Sequence, residues 1–370
     1  MVLKQIELQN FRLHKNTSLE FSDKLNLIIG GNGQGKTTIL EAIYYLCTTK
    51  NLNLASESDV VSFGEQYFDA RGIFDEKTEN KIRIFYDTAK NKKSFFVDEK
   101  QIFNSSAVIG QFPIVTLIQS DHAITQGPPS ERRRFVDSVI SQANHTYLEL
   151  LLEYNKILRQ RSSLLSQIKE KREKGLYEQL DVWTDSLAAS GAEIIMHRIK
   201  FLKEFNLYLH EAYNNIIEGF EEPSVEYRSL SEIDEANVLE RFQNELNAIR
   251  EDELRRAANL VGPHRDDFIF SINGRELKRF GSQGQHKTFQ IALRFGQFFY
   301  MKEKLGKTPM FLMDDVFGEL DSYRAGKISE YLAMIGQAFI TMTDLTKTEE
   351  LKISGENNLF RVENGTAAIA

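Results

Sequence analysis

Cysteine is almost absent from the 370-residue sequence, in which Cys47 is the only one. A lone cysteine forms no internal disulfide, which is typical of proteins kept in a reducing compartment. The sequence also lacks an N-terminal basic segment followed by an apolar one, and no apolar run approaches the length of a membrane span. These absences argue against a secreted or membrane-embedded protein and predict a soluble, cytoplasmic one.

A basic excess is missing as well, since 46 lysines and arginines face 53 aspartates and glutamates, for a net charge of −7. That sum neither predicts nor excludes nucleic acid, because phosphate is bound by a local basic patch. The seven histidines have no metal-ligand spacing, which argues against a structural zinc site. Hydrophobic residues make up 41% of the chain and predict a folded core, in two domains or in one with a large insertion.

The order of strand-like and helix-like patterns predicts an α/β fold that is split by helices. Strand patterns come first, in VLKQIELQNF, KLNLIIGG, IRIFYDT, KSFFVDE and the buried run PIVTLI. Long helices follow from Arg132, with a turn predicted at Gly175 and a third helix that starts at a capping box of Ser231 and Asp234. Strands return after VGPHRDD, where Asn273–Gly274 predicts a hairpin and PMFLMDD and AFITMT predict buried parallel strands. We therefore expect a mixed sheet with helices, formed by residues 1–125 and 259–370, with an inserted helical arm over 126–258.

The segment GGNGQGKT fits the phosphate-loop pattern G-x-x-x-x-G-K-[ST] at every fixed position, between a strand and a helix. Glycines let backbone N–H groups curl around a phosphate, and the helix start adds a partial positive charge. Lys36 is expected to reach the β- and γ-phosphates of ATP, and the Thr37 hydroxyl to ligate Mg²⁺. The predicted nucleotide-binding residues of the loop are Gly30, Gly31, Asn32, Gly33, Gln34, Gly35, Lys36, Thr37 and Thr38.

The segment FLMDDVFGELD ends an apolar run in two carboxylates, which supplies the acidic partner of a phosphate loop. Asp314, at the predicted strand end, is the candidate Mg²⁺ partner. Asp315 points elsewhere and is the candidate general base for the attacking water, so Asp315 and Lys36 are the predicted catalytic residues. An acidic turn after a buried strand is common, and the assignment therefore depends on the phosphate loop.

A second glycine-rich loop, GSQGQ, opens the apolar helix HKTFQIALRFGQFFYMKEKL far along the chain. Ser282, Gln283, Gly284 and Gln285 can present backbone N–H groups and a hydroxyl to an anion, as a phosphate loop does. One nucleotide does not need two such loops, and two copies of the chain facing each other resolve the surplus. We therefore predict an ATP-bound, two-fold homodimer in which the second loop of each copy contacts the γ-phosphate held by the other.

Six segments, in order over nearly the whole chain, carry a family resemblance: LKQIELQNFRLHKNTSLEF, GGNGQGKTTILEAI, GPPSERRRFVD, VGPHRDD, GSQGQ and MDDVFGELD. The chain resembles the ABC-type ATPase heads of the SMC class and, among them, the RecF family of bacterial recombination mediators. The resemblance implies ATP-dependent dimerisation on DNA, with slow hydrolysis as the release step. It also implies roles in DNA replication, recombinational repair and the SOS response, beside RecO- and RecR-like mediators that load a RecA-like recombinase at single-strand gaps.

The resemblance also implies roles for residues outside the two loops. By match, Gln119 falls at the Q-loop position and Arg12 lies near the nucleotide, where it contacts the nucleotide or pairs with a carboxylate. The interface D-loop corresponds to Glu319, Leu320 and Asp321. Met342-Thr343-Asp344 stands where many ABC ATPases carry a switch histidine, which is compatible with slow turnover.

The remaining alternatives concern DNA contact and the class of ATPase. The densest basic run, Arg132, Arg133 and Arg134, is the candidate DNA contact, although arginines there suit a tie between arm and head equally well. The head of another SMC-like protein is the nearest rival, but the predicted arm is too short for a long coiled coil. A transporter-type ABC ATPase needs no such arm, and a small-metabolite kinase has no use for GSQGQ or ELD.

Overall fold

The computed structural model describes residues 1–52, 56–171, 173–217, 219–229, 236–319, 321–343 and 357–370. The chain packs into two compact units: unit 1 comprises Met1–Asp121, Ala212–Gly219 and Ile291–Ala370, and unit 2 comprises His122–Glu211 and Phe220–Gln290. The first division lies near the expected boundary at 125. The last division lies after Gln290, whereas the expected boundary at 258 falls inside unit 2, because the strands that follow 258 pair within that unit. Every helix in the described ranges is too short or too polar to cross a bilayer.

Unit 1 contains an antiparallel sheet built from the N-terminal strand patterns. Its described strands are β1 (Val2–Phe11), β2 (His14–Glu20), β4 (Tyr67–Asp75), β5 (Glu79–Asp87), β6 (Lys92–Val97) and β7 (Lys100–Ile102). They lie in the order β2-β1-β4-β5-β6-β7, and each neighbouring pair is antiparallel. Buried and exposed residues alternate from Asn16 to Glu20 of β2, as expected of a strand with one face on a core.

A second, mostly parallel sheet of unit 1 carries the strands that precede the predicted site loops. Its described strands are β3 (Leu25–Ile29), β8 (Ile114–Leu117), β12 (Met310–Asp314), β13 (Ala338–Met342), β14 (Asn358–Glu363) and β15 (Thr366–Ile369). The order is β15-β14-β3-β13-β12-β8, and only the β14–β15 pair is antiparallel. The run that forms β8 is confirmed as a buried strand, and those that form β12 and β13 as buried parallel strands, which fits their lack of alternation.

Helix α1 (Lys36–Thr48) anchors the phosphate loop to the core of unit 1. Ile39, Leu40, Ile43 and Leu46 are fully buried, in one cluster with residues of both sheets such as Leu8, Ile84, Leu312 and Phe339. Full burial of each such side chain contributes roughly 1.5–3 kcal/mol. The loop before α1 is therefore held by a helix that is fixed on its apolar sides. Helix α10 (Ser322–Met334), part of α9 (Gln283–Leu305) and the end of α5 (Lys174–Ile216) also belong to this unit.

Unit 2 is mainly helical. Its described helices are α2 (His122–Gln126), α3 (Pro129–Ala143), α4 (His145–Lys171), most of α5 (Lys174–Ile216), α6 (Val238–Ala248), α7 (Arg250–Arg256), α8 (Leu277–Phe280) and the start of α9. A sheet of order β11-β10-β9 joins β9 (Pro223–Arg228), β10 (Asp267–Ile272) and β11 (Arg275–Glu276). Asn273 and Gly274 have φ of 51° and 71°, so the two-residue hairpin between β10 and β11 is confirmed.

Two details of unit 2 differ from the sequence prediction. A chain reversal is predicted at Gly175, but α4 ends at Lys171 and α5 begins at Lys174. Gly175 therefore belongs to the first helical turn of α5. The predicted third helix is divided into α6 and α7 at Ile249, whose φ of −100° and ψ of 0° leave the helical region. The capping box predicted at Ser231 and Asp234 lies outside the described residues.

Candidate nucleotide-binding site

The phosphate loop connects the end of β3 to the start of α1 and leaves no room for side chains at two of its glycines. A Cβ on Gly30 would lie 2.3 Å from the main-chain oxygen of Val362 in β14. Gly35 has φ 108°, and a Cβ there would lie 2.9 Å from Nε2 of His14. Gly30 is therefore required by the close approach of Val362, and Gly35 by both its left-handed φ and the close approach of His14.

Lys36, the first residue of α1, lies back across this loop. Its Nζ donates hydrogen bonds to the main-chain oxygens of Gly30 and Gly31, each at 2.8 Å, and the residue is only 6% exposed. Desolvation lowers the pKa of Lys36, while the carboxylates of Asp315 and Asp314 act to raise it. Within the described chain, the first turn of α1 has neither an acidic residue nor a side-chain cap. Its N–H groups therefore face the loop ready for an anion.

Asp314 at the end of β12 is tied to the first turn of α1. The Thr37 hydroxyl lies 2.9 and 3.0 Å from the two carboxylate oxygens of Asp314. A second hydroxyl, Oγ1 of Thr341 in β13, donates to Oδ1 of Asp314 at 2.6 Å. The sheet register pairs Asp314 with Thr341 directly, which is why the two side chains meet. The structure thus brings together the two residues predicted to hold Mg²⁺.

Asp315 turns away from the strand in a left-handed conformation, with φ 50°. Such a conformation costs on the order of 1–3 kcal/mol in a residue other than glycine and clusters at functional sites. Thr341 holds it there, since its main-chain oxygen and its Oγ1 accept hydrogen bonds from the Asp315 N–H at 3.3 and 2.9 Å. Sequence reasoning missed Thr341, whose only signal was its place at the end of a predicted buried strand.

These groups surround one cavity of about 370 Å³ in unit 1. It is lined by Leu13, Asn32, Gly33, Gly35, Lys36, Thr37, Thr38, Gln119, Asp314 and Asp315. Gln119 reaches it from the 3₁₀ turn that follows β8. Arg12 is absent from the described lining, and its Nε forms an ion pair with the buried carboxylate of Glu41 at 2.6 Å. Sequence reasoning missed Leu13, which takes the position next to Arg12.

The start of β2 and the β14–β15 turn brace the phosphate loop from outside the cavity. His14 is fully buried, with its Nε2 2.9 Å from the main-chain oxygen of Gly35 and its Nδ1 2.9 Å from the Thr17 hydroxyl. Burial lowers the pKa of His14, so the ring is neutral at physiological pH and donates through Nε2 to Gly35. On the other side, Gln34 accepts hydrogen bonds from the main-chain N–H groups of Asn364 and Gly365 in the β14–β15 turn.

The donor set suits Mg²⁺ held largely by a bound nucleotide. Thr37 and Asp314 offer hard oxygen ligands within 3.0 Å of each other, the type that Mg²⁺ prefers. In the described residues, no group of three or more histidine, cysteine or acidic side chains forms a metal cage. Mg²⁺ commonly binds through one or two protein oxygens plus substrate phosphates and water. The residues present therefore fit that ion.

The second glycine-rich loop forms the N-terminus of α9 in unit 2. Ser282 Oγ accepts the N–H of Gln285 at 3.2 Å, and Gln285 Oε1 accepts the N–H of Ser282 at 3.0 Å. This reciprocal pair is a capping box. Gln283 and Gly284 are the first residues of the helix, and Nε2 of Gln285 donates to the carboxylate of Glu221 at 2.8 Å. The loop is thus a rigid helix start.

The predicted D-loop lies before α10. Glu319 ends a 3₁₀ turn that starts at Phe317, and Asp321 caps α10 by accepting the N–H of Arg324 at 2.9 Å. Leu320 lies outside the described residues, as does Asp344 of the segment that replaces a switch histidine. Met342 ends β13, and Thr343 follows it.

The arginine run of α3 divides into three environments. Arg132 is 6% exposed and pairs with Asp267 at 2.8 Å, so it ties α3 to β10 within unit 2. Arg133 donates from Nη1 to the main-chain oxygen of Asp266 at 2.6 Å. Arg134 is 56% exposed and pairs with Glu131 at 3.0 Å. Of the three predicted DNA contacts, only Arg133 and Arg134 keep a guanidinium outside a buried ion pair.

Comparison with known proteins gives consistent matches. The model of the AAA domain family matches residues 5–259. The DNA replication and repair protein RecF of Chloroherpeton thalassium is 42% identical over 361 residues, which cover 95% of this chain and 97% of that protein. The RecF protein of Salinibacter ruber is 34% identical, covering 93% of this chain and 85% of its own length.

Solved structures agree with this relationship. A structure of the recombination mediator protein RecF with ATP in the RecFOR pathway has a TM-score of 0.90 and 31% identity, covering 100% of this chain and 97% of that one. An Smc head bound to the winged-helix domain of ScpA has a TM-score of 0.57 at 13% identity, which supports the ABC/SMC-type α/β fold alone. The chain belongs to the RecF family of DNA replication and repair proteins.

Proposed function

We propose that this protein is an ATP-dependent DNA-binding switch, in which ATP binding drives a two-fold dimer on DNA and slow hydrolysis releases it. The observation that carries the proposal is the single cavity that gathers Lys36, Thr37, Gln119, Asp314 and Asp315. The family relationship supports ATP as the nucleotide, because a RecF structure of 31% identity was determined with ATP. In this proposal the protein is a weak ATPase that DNA stimulates, and hydrolysis releases the dimer instead of driving a metabolic reaction.

Each residue of the cavity has a defined task in this proposal. The ammonium group of Lys36 exchanges its two carbonyl partners for β- and γ-phosphate oxygens, and the N–H groups at the start of α1 bind the β-phosphate. Bound Mg²⁺, held by Thr37 and Asp314, supplies charge neutralisation for the phosphates. Asp315, fixed by Thr341, orients and deprotonates the attacking water.

We assign the start of α9 to the partner's nucleotide. Ser282 and Gln285 fix each other, so the N–H groups of the first turn keep one orientation toward an incoming γ-phosphate. We propose that the D-loop, formed by Glu319, Leu320 and Asp321, takes part in the same dimer interface. Arg12 and Gln119 are proposed to reorient and contact the bound nucleotide. Arg133 and Arg134 are the proposed DNA contacts of this chain.

The biological setting follows from the family. A similar protein is described as a recombination mediator of the RecFOR pathway, which supports RecO- and RecR-like mediators and a RecA-like recombinase as functional partners here. The expected place of action is DNA at single-strand gaps during replication, recombination and the SOS response. With chromosomal DNA as the partner, the expected compartment is the cytoplasm.

The test is the molar mass in solution, measured by light scattering without nucleotide, with ATP and Mg²⁺, and then with a gapped duplex. We expect ATP to convert monomers into dimers and DNA to be retained by the dimer. Lys36→Ala should abolish the ATP-driven dimer because it removes the phosphate-binding ammonium group. Lys77→Ala, which removes an exposed lysine of the same unit, is the matched control. A wild-type mass that does not respond to ATP would refute the switch.

A further inference from the structure

Unit 2 contains a second cavity that the proposed ATP switch does not use. It measures about 230 Å³ and is lined by residues of α3, α4 and α5 and of the loop that leads to β10. Ser130, Arg133, Arg134 and Asp137 line it from one face of α3, at the spacing expected for a helix. Arg198 of α5 and His264 of the segment VGPHRDD face the same cavity.

The charge around this cavity is predominantly positive. Three arginines line it beside a single carboxylate, Asp137. That carboxylate is fully engaged, because it accepts hydrogen bonds from the Arg198 guanidinium at 2.9 and 3.0 Å and from the Tyr147 hydroxyl at 2.6 Å. The Arg198 guanidinium also donates a hydrogen bond to the main-chain oxygen of Pro263 at 2.7 Å. Arg198 is thus paired with Asp137, and Arg134 pairs with Glu131 at 3.0 Å, so among the described residues Arg133 is the lining arginine that forms no ion pair.

Arg133 is the arginine with the least compensation. In the part of the chain that the structure describes, its one hydrogen bond runs to a main-chain oxygen, that of Asp266, and it forms no ion pair. Burial and the neighbouring charge of Arg198 lower the pKa of Arg133, while the carboxylates of Asp137, Asp267 and Asp266 act to raise it. A half-buried guanidinium without a carboxylate partner is stabilised by a bound anion, through charge-assisted hydrogen bonds.

His264 also lines the cavity. Its Nδ1 lies 2.7 Å from the Tyr154 hydroxyl, while Nε2 is buried and forms no hydrogen bond of good geometry among the described residues. A hydrogen bond to the Asn259 main-chain oxygen acts to raise the pKa of His264, but that oxygen also accepts two hydrogen bonds from Arg265 at 3.2 and 2.9 Å. A buried nitrogen with so poor a partner is costly, and a hydrogen bond to a ligand would offset that cost.

We propose that this cavity binds a phosphate group, with Arg133 and Arg134 as its charge partners and His264 Nε2 and Ser130 as hydrogen-bond donors. Its volume of about 230 Å³ lies below the usual lower limit of small-molecule pockets, about 300 Å³, which favours one phosphate over a whole nucleotide. The phosphate comes either from free inorganic phosphate or from a DNA strand. The DNA source rests on the proposed function, whereas phosphate binding itself does not.

The test is isothermal titration of the full chain with inorganic phosphate, after a non-hydrolysable ATP analogue has filled the phosphate loop through its γ-position. We expect one further phosphate-binding event in the wild type. Arg133→Gln should weaken it at least tenfold, and His264→Gln should weaken it severalfold. Arg255→Gln is the matched control, because it removes an exposed arginine of the same unit that pairs with Asp252. Absence of the second event, or equal affinity in Arg133→Gln, would overturn the proposal.

A competition experiment distinguishes free inorganic phosphate from a DNA strand as the source of the bound phosphate. A short duplex with a 5′-phosphate, and the same duplex ending in a hydroxyl, are added to the phosphate-loaded wild type. Displacement by the phosphorylated duplex alone assigns the cavity to a strand end, and displacement by both assigns it to backbone phosphates. Displacement by neither assigns it to free phosphate. The proposed ATP switch is tested separately, by the light-scattering measurement. If the chain dimerises with ATP but shows no second phosphate-binding event, only the phosphate site is disproved.

Discussion

A single hydroxyl, that of Thr341, connects the two carboxylates of the candidate ATP site. It donates to Asp314 at 2.6 Å and accepts the N–H of Asp315 at 2.9 Å, and the residue is fully buried. The adjacent carboxylates thus have different constraints: Asp314 is oriented through its side chain and Asp315 through its backbone. Two neighbouring acids in one turn can serve two tasks for this reason.

Thr341→Val keeps the side-chain shape and removes both hydrogen bonds. Each bond contributes roughly 0.5–1.5 kcal/mol, so we expect ATP hydrolysis to slow by about tenfold or more. ATP affinity should change little, because Lys36 and the loop glycines are untouched. Single-turnover hydrolysis and nucleotide titration measure the two effects separately, and Thr341→Ser should restore hydrolysis. Equal loss of binding and hydrolysis would show that Thr341 only supports the fold.

Asp315→Asn tests the proposed base without altering the size of the side chain. We expect nucleotide to bind and the ATP-bound dimer to persist, because the amide cannot accept the proton of the attacking water. The readout is the lifetime of the dimer after ATP addition, followed by light scattering, together with phosphate release. Asp252→Asn, at a partly exposed position of unit 2, controls for the loss of a carboxylate. Normal phosphate release by Asp315→Asn would remove it from the role of base.

At the scale of elements, the sequence predicted those parts of the fold that local patterns determine. Buried runs identified β8, β12 and β13, and Asn273–Gly274 identified its hairpin, because apolar continuity and left-handed turns leave a local signature. The division at Gln290 and the role of Thr341 depend on which strands pair, which no local pattern states. Arg161 illustrates the same limit: it interrupts the apolar spacing of α4, yet it is 2% exposed and pairs with Glu253 at 2.5 Å.

The segment before β10 holds two buried groups whose titrations oppose each other. Burial raises the pKa of Asp266 to about 6, although the hydrogen bond from Tyr227 acts to lower it. Burial lowers the pKa of His264 to about 4, and the positive charges of Arg265, Arg133 and Arg198 lower it in the same direction. The folded state therefore keeps a proton on Asp266 that the unfolded state releases, so this contribution to stability is lost as pH rises from about 4 to 6. His264 acts in the reverse sense, and its contribution is lost as pH falls from about 6.5 to 4.

If either residue is replaced, the free energy of unfolding should keep, of these two pH dependences, only the one that the other residue causes. Across pH 4.5–6, Asp266→Asn should make the free energy of unfolding rise more steeply with pH than in the wild type, by about 1 kcal/mol per pH unit. His264→Gln should change the slope by a similar amount in the opposite direction. Urea unfolding at several pH values measures both slopes. Parallel stability curves for the wild type and Asp266→Asn would contradict the raised pKa of Asp266.

At the scale of the whole molecule, the proposed dimer requires that the start of α9 serve another chain's nucleotide. The two loops have different local designs. The phosphate loop has a lysine folded over its own carbonyls, whereas the start of α9 has an exposed serine fixed by Gln285 and no lysine in its first turn. In the proposed dimer, the phosphate loop holds the phosphates and the start of α9 presents N–H groups to the phosphates of the other chain, which a two-fold arrangement requires.

Ser282→Arg tests this division directly. The bulky cation should block the approach of a second subunit, while the cavity of unit 1 stays intact because no residue that lines it has changed. We expect nucleotide affinity of the monomer within a few-fold of the wild type and no increase of molar mass with ATP and Mg²⁺. Loss of the serine cap should lower stability by about 1 kcal/mol, too little to unfold the chain. Ser166→Arg, an equal change at an exposed position of α4, should dimerise normally. Reduced nucleotide affinity in monomeric Ser282→Arg would mean that the start of α9 serves the nucleotide of its own chain, and the two-fold model would have to be abandoned.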